Sequence, residues 1–200
     1  LVIDHFQPAD DAKTGSNLRY KLFGELFARA LQDVGVDAAV GEIPGEYCPG
    51  EFSVHARLGG ERAGERIKLV GTAQRVVSGA WWFSTGIVVA DSAPLRSVTE
   101  RVYAALGLPL DPATIGAARE ANPALLMEDL EDAILDVYAQ NGFRQCAAGT
   151  GLRRTTAPPW VGCRARSLLP RGILRPPSWS QSCFTAASPA PRRGPSPIHI

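Results

Sequence analysis

The chain has no long apolar run and few residues of the kinds that build metal sites. None of its hydrophobic stretches approaches the ~20 residues that a membrane span needs, and its first residues lack the basic-then-apolar pattern of a secretory signal. Its three histidines, His5, His55 and His199, are too dispersed to predict a metal cluster or a Ser-His-Asp site. We therefore predict a cytoplasmic protein without membrane contact.

Charge is divided unevenly along the 200 residues. Residues 1–143 carry 12 basic and 20 acidic side chains, a net of −8, whereas residues 144–200 hold nine arginines, no lysine and no acid. Nine of the 16 prolines also lie in this second segment. The sequence thus predicts a domain at 1–143, long enough for one core, followed by an unlike tail at 144–200.

The tail shows neither helical nor strand periodicity. Its cysteines, Cys146, Cys163 and Cys183, are 17 and 20 residues apart, which is not the spacing of zinc ligands. An acid-free arginine-rich segment could bind nucleic acid, and a proline-rich one could be a recognition arm. We predict instead a disordered tail that binds no nucleic acid, and hypothesise an out-of-frame translation of GC-rich coding sequence. Resequencing that finds an intact frame through codon 144 would contradict the hypothesis.

The first 143 residues have the patterning of an α+β domain with a mixed, largely antiparallel sheet flanked by helices. Two antiparallel hairpins with helices on either side favour this layered class. The chain opens on Leu1-Val2-Ile3, so we expect it to begin inside a strand. Periodicity and capping residues predict helices at 18–34, 91–106 and 125–138, a short helix from 111, and strands at 37–43, 52–58, 66–77 and 80–90.

The strand at 66–77 is the most informative stretch. Strict alternation predicts two faces, one with Lys68, Val70, Thr72 and Gln74 and the other with Ile67, Leu69, Gly71 and Ala73. A glycine inside a strand lets a ligand or another backbone approach closely. The pattern is typical of a polar site on a sheet. The alternative is an edge strand whose lysine discourages aggregation.

Neighbouring strands raise two further alternatives. Alternation groups His55 with Ser53 and Arg57, which predicts a surface residue. The aromatic run 81–83 is interpreted as sheet core, with the wall of an acyl pocket as the alternative.

Two segments in this order resemble the catalytic domain of the biotin/lipoate protein ligase family, and more narrowly its lipoate–protein ligase-like branch. They are Glu46-Tyr47-Cys48-Pro49-Gly50-Glu51-Phe52-Ser53 and Lys68-Leu69-Val70-Gly71-Thr72-Ala73-Gln74-Arg75. The resemblance covers residues 1–143. It implies a partial class II synthetase-like fold and an enzyme that activates lipoate, or a similar acid, with ATP and Mg²⁺. The acyl group would pass to a lysine of a lipoyl-carrier domain, in 2-oxoacid dehydrogenase complexes or the glycine cleavage system.

The resemblance also implies roles for individual residues. Lys68 stands where the family has its catalytic lysine, and its ammonium would stabilise the charge that builds when a carboxylate attacks the α-phosphate. Gly71 and Ala73 would leave room for the acyl-adenylate. Thr72 and Gln74 would hydrogen-bond the phosphate or the nucleotide.

Glu51 aligns with an acid of the family and would hold Mg²⁺, which prefers carboxylate and phosphate oxygens. The alternative for Glu51 is a solvated loop carboxylate.

Cys48 opens a second mechanism. One octanoyltransferase branch of the same fold uses a cysteine before the lysine strand and transfers the acyl group through a thioester, without ATP. Cys48 lies 20 residues before Lys68, whose ammonium would favour the thiolate that such an acyltransferase needs. The alternative is a small apolar residue beside Pro49.

The family's upstream Arg-Arg-x-x-Gly-Gly loop has no counterpart before Leu18. We therefore expect an N-terminally truncated domain, and a catalytically incompetent fragment remains a third alternative.

Overall fold

The computed structural model describes residues 1–77, 79–145 and 183–187. Within them, seven strands form one sheet in the order β2-β3-β4-β5-β1-β7-β6. The strands are β1 (Val2–Pro8), β2 (Ala38–Val40), β3 (Val54–Arg57), β4 (Arg66–Val77), β5 (Ala80–Ile87), β6 (Arg144–Gln145) and β7 (Cys183–Ala187). The helices are α1 (Ser16–Asp33), α2 (Ser92–Leu106), α3 (Ala118–Ala121) and α4 (Met127–Gln140), with 3-10 turns at Gly60–Arg62 and Pro112–Thr114.

The predicted fold class is confirmed. Neighbouring strands from β2 to β7 are antiparallel, and β6 and β7 are parallel. The expected strand at the start of the chain is β1. Two short stretches of the predicted tail, β6 and β7, are strands. The remainder of the tail, with Cys146 and Cys163, lies outside the described residues, so its disorder, its origin and the domain boundary stay predictions.

Helix α1 covers one face of the sheet. Its apolar residues recur every three to four positions, and Phe23, Phe27 and Leu31 are fully buried. The ring of Phe23 lies 4.5 Å from that of Phe83 on β5, between centroids. Helix α4 completes this layer through Tyr138, which contacts Phe27 at 6.1 Å. The main core therefore lies between the sheet and the α1–α4 layer.

A histidine lies inside that core. His5 on β1 is fully buried, with its ring stacked on Trp81 at 5.0 Å and edge-on to Phe23 at 4.9 Å. Burial lowers the pKa of His5 to about 4, and the Gln7 side chain partly opposes the shift. His5 is thus a neutral aromatic core residue near pH 7. Trp81 and Phe83 are buried beside it, as the core interpretation of the aromatic run predicts.

The opposite face of the central strands is open. Val2 and Phe6 on β1 are each 48% exposed, and Val77 on β4 is 46% exposed. Trp82 lies on this face too, stacked on Phe6 and donating its indole N–H to Asp4. None of the described helices has the length and apolar character needed to cross a membrane.

We predict that His5 makes the fold sensitive to acid. Its folded-state pKa lies below the unfolded value of about 6.5, so the unfolded chain binds the extra proton. Stability is then full above pH 6.5 and falls as the pH drops towards 4, by at most about 3 kcal/mol. His5→Phe should remove this part of the pH dependence, measured by urea unfolding from pH 7 to 4. Leu31→Val, a control at another fully buried residue of α1, should lower stability equally at every pH. An unchanged acid slope in His5→Phe would contradict the assignment.

Candidate functional site

A register irregularity decides which face of the sheet carries Lys68. Val54 of β3 pairs with Val70, but the next residue, His55, pairs with Lys68, which leaves Leu69 as an extra residue on β4. Consecutive residues of β3 point to opposite faces, and directly paired residues share a face. Lys68 and Val70 therefore lie on opposite faces.

The alternation predicted for this strand is thus wrong at the lysine. Past the irregularity, Gly71 and Ala73 lie opposite Gly86 and Ser84 of β5, on the open face, and Lys68 lies on the same face. The edge-strand alternative is also wrong, because β4 is hydrogen-bonded to β3 on one side and β5 on the other.

Thr72 and Gln74 face the helical layer instead. Thr72 is paired with the buried Thr85. Gln74 is held by α1: its amide donates to the Ser16 carbonyl at 3.0 Å, and Arg19 Nε donates to its Oε1 at 2.8 Å. The structure therefore does not bring these two predicted ligand-binding residues to the face of Lys68.

The Lys68 ammonium is buried and contacts three oxygen atoms. Its side chain is 3% exposed, and Nζ donates to the carbonyl oxygens of Tyr47 at 2.9 Å and Cys48 at 2.8 Å. Nζ also lies 3.5 Å from Glu46 Oε2 and 4.9 Å from the centroid of the Tyr47 ring. A buried ammonium costs several kcal/mol unless its donors are paired. Two of its three N–H groups are thus hydrogen-bonded, and the Glu46 carboxylate balances its charge although Oε2 accepts no hydrogen bond from a described residue.

Glu46 is the residue that the sequence analysis missed. Its side chain is fully buried, and its Oε1 accepts hydrogen bonds from Ser53 Oγ at 2.8 Å and the Gly50 N–H at 3.1 Å. Its other oxygen faces Lys68. The sequence did offer one indication: Glu46 is the first residue of the first segment that resembles the ligase family, directly after Pro44-Gly45.

Glu51, the predicted Mg²⁺ ligand, is exposed in the turn before β3. The part of the chain that the structure describes contains no group of three or more His, Cys, Asp or Glu residues able to hold a metal ion.

Cys48 is exposed and its backbone is held in a left-handed conformation, with φ of 42°. Its N–H donates to the Tyr103 hydroxyl of α2 at 2.6 Å, and that hydroxyl lies 3.9 Å from Cys48 Sγ. Tyr103 was not predicted either. Burial, reinforced by Cys48 and Glu46, raises the pKa of the neighbouring Tyr47 to about 12, so its phenol stays protonated.

His55 was predicted on the surface, and the structure buries it beside Lys68. Its Nδ1 donates to the Gly41 carbonyl at 3.0 Å, and burial lowers its pKa. The face that carries His55 is covered here by the loop that follows β2, through Gly41 and the segment Glu46–Cys48.

A strip without side chains continues from Lys68 on the open face. Gly71 and Gly86 are directly paired, and a Cβ on either would meet no atom within 4 Å. Neither glycine has a positive φ. Glycine inside a strand costs about 0.5–1 kcal/mol relative to alanine, and neither backbone conformation nor crowding requires it here. The pair leaves room for something to lie on the sheet.

Two clefts, of about 220 and 420 Å³, lie elsewhere among the described residues. One is beside Pro44 and Asp111, and the other beside Ser92 and Glu120. Lys68 lines neither cleft. Because its side chain is only 3% exposed, a ligand of Lys68 must displace the residues that now contact it.

No protein-family model matches the chain, and no curated protein matches it. Among solved structures, the chain is similar to a lipoate-protein ligase A bound with ATP, at 17% identity and a TM-score of 0.45, over 68% of this chain and 49% of that one. It is similar to a bi-partite lipoate protein ligase from Thermoplasma acidophilum, studied with its E2 lipoyl domain, at 14% identity and a TM-score of 0.45, over 70% and 50%.

A third solved structure, of a Thermoplasma acidophilum protein described as a lipoate protein ligase and carrying bound lipoic acid, is 16% identical with a TM-score of 0.46, over 68% and 49%. The chain spans about half the length of these proteins. The likeness is partial and concerns the fold, and the solved structures are of the kind that the sequence resembles.

We predict that Glu46→Ala destabilises the fold by about 3 kcal/mol, because it leaves a buried ammonium without its carboxylate. The measurement is the free energy of unfolding in urea. Glu51→Ala removes an exposed carboxylate from the same loop and should change it by no more than about 0.5 kcal/mol. If the two substitutions change the free energy of unfolding equally, the buried Glu46–Lys68 pair does not contribute more to stability than an exposed carboxylate.

Proposed function

We propose that this protein belongs to an acyl–protein ligase system that activates lipoate, or a similar acid, with ATP and transfers it to a lysine of a lipoyl-carrier domain. The substrates are those that the sequence resemblance implies. The observation that carries the proposal is the extra residue in β4, because it puts the lysine and the paired glycines on one open face.

The chemistry needs a fixed cation at the place where two anions meet. The acid's carboxylate oxygen attacks the α-phosphorus of ATP, the bond to the leaving pyrophosphate breaks, and the acyl-adenylate forms. The Lys68 ammonium would lie against the carboxylate and the α-phosphate and offset the charge between them. The lysine amine of the carrier then attacks the acyl carbon, and AMP leaves with the electron pair of the broken bond.

The Gly71–Gly86 strip would support the acyl tail. Gly71 lies three positions after Lys68 on β4, which corresponds to about 10 Å along the strand, comparable with a medium-chain acid.

A divalent ion would be held mainly by the substrate phosphates. Mg²⁺ sites in proteins commonly use one or two carboxylates together with phosphate oxygens. Glu51 is exposed in the same loop as Glu46 and would supply one such carboxylate, whereas Glu46 is committed to Lys68. When bound, the ion would neutralise charge on the phosphates.

The second candidate is the thioester route, which the exposure of Cys48 favours. Its thiol is accessible while its own carbonyl binds the Lys68 ammonium. In that reaction the thiolate attacks the acyl carbon of a donor, the bond to the donor's leaving group breaks, and a thioester forms without ATP. The carrier's lysine amine then attacks the thioester carbon and the Cys48 thiolate leaves. Transfer to lipoyl carriers in 2-oxoacid dehydrogenase or glycine cleavage complexes, and a cytoplasmic location, rest on the sequence alone.

We predict that Lys68→Gln lowers lipoate-dependent ATP–pyrophosphate exchange by about a hundredfold or more, because one charge that stabilises the transition state is lost. Lys21→Gln, which changes an exposed lysine of α1, should retain wild-type exchange. Circular dichroism checks that both variants fold. Retained exchange in Lys68→Gln would contradict the assigned role.

Cys48→Ser separates the candidates. It should largely spare the exchange if the adenylate route operates, and abolish acyl transfer if the thioester route operates. A folded wild-type chain without either activity would favour the incompetent fragment.

A further inference from the structure

The segment Glu46–Cys48, called here the 46–48 turn, surrounds the Lys68 ammonium and covers it from solvent. Two carbonyl oxygens at 2.8 and 2.9 Å and a carboxylate oxygen at 3.5 Å surround Nζ. Two of the three N–H groups of the ammonium are donated to the turn, and the Lys68 side chain is only 3% exposed. No anion can therefore contact Lys68 while the 46–48 turn keeps this position.

The turn is also held under backbone strain. Cys48 has a φ of 42°, in the region that favours glycine, and such a conformation costs of order 1–3 kcal/mol in other residues. Cys48 is also tied to helix α2, because its N–H donates to the Tyr103 hydroxyl at 2.6 Å. Lys68, Ser53 and Gly50 hold the turn as well. Losing the Tyr103 contact therefore removes about one hydrogen bond from the free energy needed to open the turn.

Helix α2, which carries Tyr103, buries little of its surface. Ser92 is the one residue of α2 that is buried. At its N-terminal end the helix is fixed by polar contacts, from Ser92 Oγ to Glu120 at 2.6 Å and from Arg96 to the Ile115 carbonyl at 2.5 Å. Its apolar residues Val98 and Val102 are 57% and 48% exposed. The Tyr103 end of α2 can thus shift without disturbing the main core.

We propose that Tyr103 is a positioning residue that holds the 46–48 turn over Lys68, and that the anionic group of the substrate must displace this turn to reach the ammonium. The carboxylate and phosphate named as that group rest on the proposed function. The closed turn itself rests on contacts between residues of this chain alone. Tyr103 then sets the fraction of molecules in which the turn is open and Lys68 is accessible.

The lysine content of the chain permits a direct test. Lys13, Lys21 and Lys68 are its only three lysines, and the first two are exposed. A short pulse of acetic anhydride, followed by peptide mass spectrometry, gives the labelling rate of Lys68 relative to the two reference lysines in the same molecule.

In the wild type, Lys68 should label at least about tenfold more slowly than the reference lysines, because its amine is buried. Tyr103→Phe should raise the relative rate about fivefold, the effect of losing one hydrogen bond. Tyr20→Phe removes a tyrosine hydroxyl elsewhere, on α1, and should leave it unchanged. Cys48→Asn should lower the rate, since asparagine tolerates the left-handed conformation better than cysteine. Because Cys48→Asn is expected to lower the labelling rate of Lys68, it tests the proposal even if Tyr103→Phe folds poorly. An unchanged or raised rate in Cys48→Asn would contradict the proposal.

A second arm measures the affinity for a hydrolysis-resistant lipoyl-adenylate analogue by calorimetry. Tyr103→Phe should bind it about fivefold more tightly than the wild type, because less free energy is spent on opening the turn. Unchanged labelling and unchanged affinity in Tyr103→Phe would overturn the proposal while leaving the function intact. If the labelling rates shift as predicted but neither the wild type nor any variant binds the analogue, the closed turn is supported and the proposed function is overturned.

Discussion

The burial of one ammonium governs the structure around it. Lys68 lies in the centre of the sheet with almost no contact with water, and an unpaired charge there would cost several kcal/mol. Its partners are therefore obligatory, and they fix the turn before β3. Glu46 can face the lysine because Ser53 Oγ and the Gly50 N–H hold its other oxygen. The loop and the strand are thus parts of one electrostatic unit.

A single extra residue gives that unit its orientation. Without the irregularity at Leu69, strict alternation would put Lys68 on the side of the sheet that α1 covers. With it, the ammonium shares the open side with the side-chain-free strip of Gly71 and Gly86. Four consecutive positions, 67 to 70, are all buried, and at Lys68 the covering segment is the 46–48 turn.

Local signals in the sequence were enough to predict most of the fold. Helix α2 ends at Leu106, as predicted, because Gly107 adopts a left-handed conformation with φ of 66°. Lys68 was identifiable because a lysine amid β-formers is unusual. The face of Lys68, its pairing with Glu46 and the contact of Cys48 with Tyr103 were not predictable. The face of Lys68 depends on the register between β3 and β4, which local patterns do not determine. The Cys48–Tyr103 contact joins residues 55 positions apart in sequence, so no local pattern indicates it.

The shallow attachment of α2 has a consequence for cooperativity. A helix with one buried residue contributes little apolar burial to the global transition, whereas α1 buries eight of its residues. Regions with few buried contacts open at lower free energy than the core, as separate units. Helix α2 should therefore belong to an early-exchanging unit in hydrogen-exchange experiments, while α1 and β4 hold their amide protons until the whole domain unfolds.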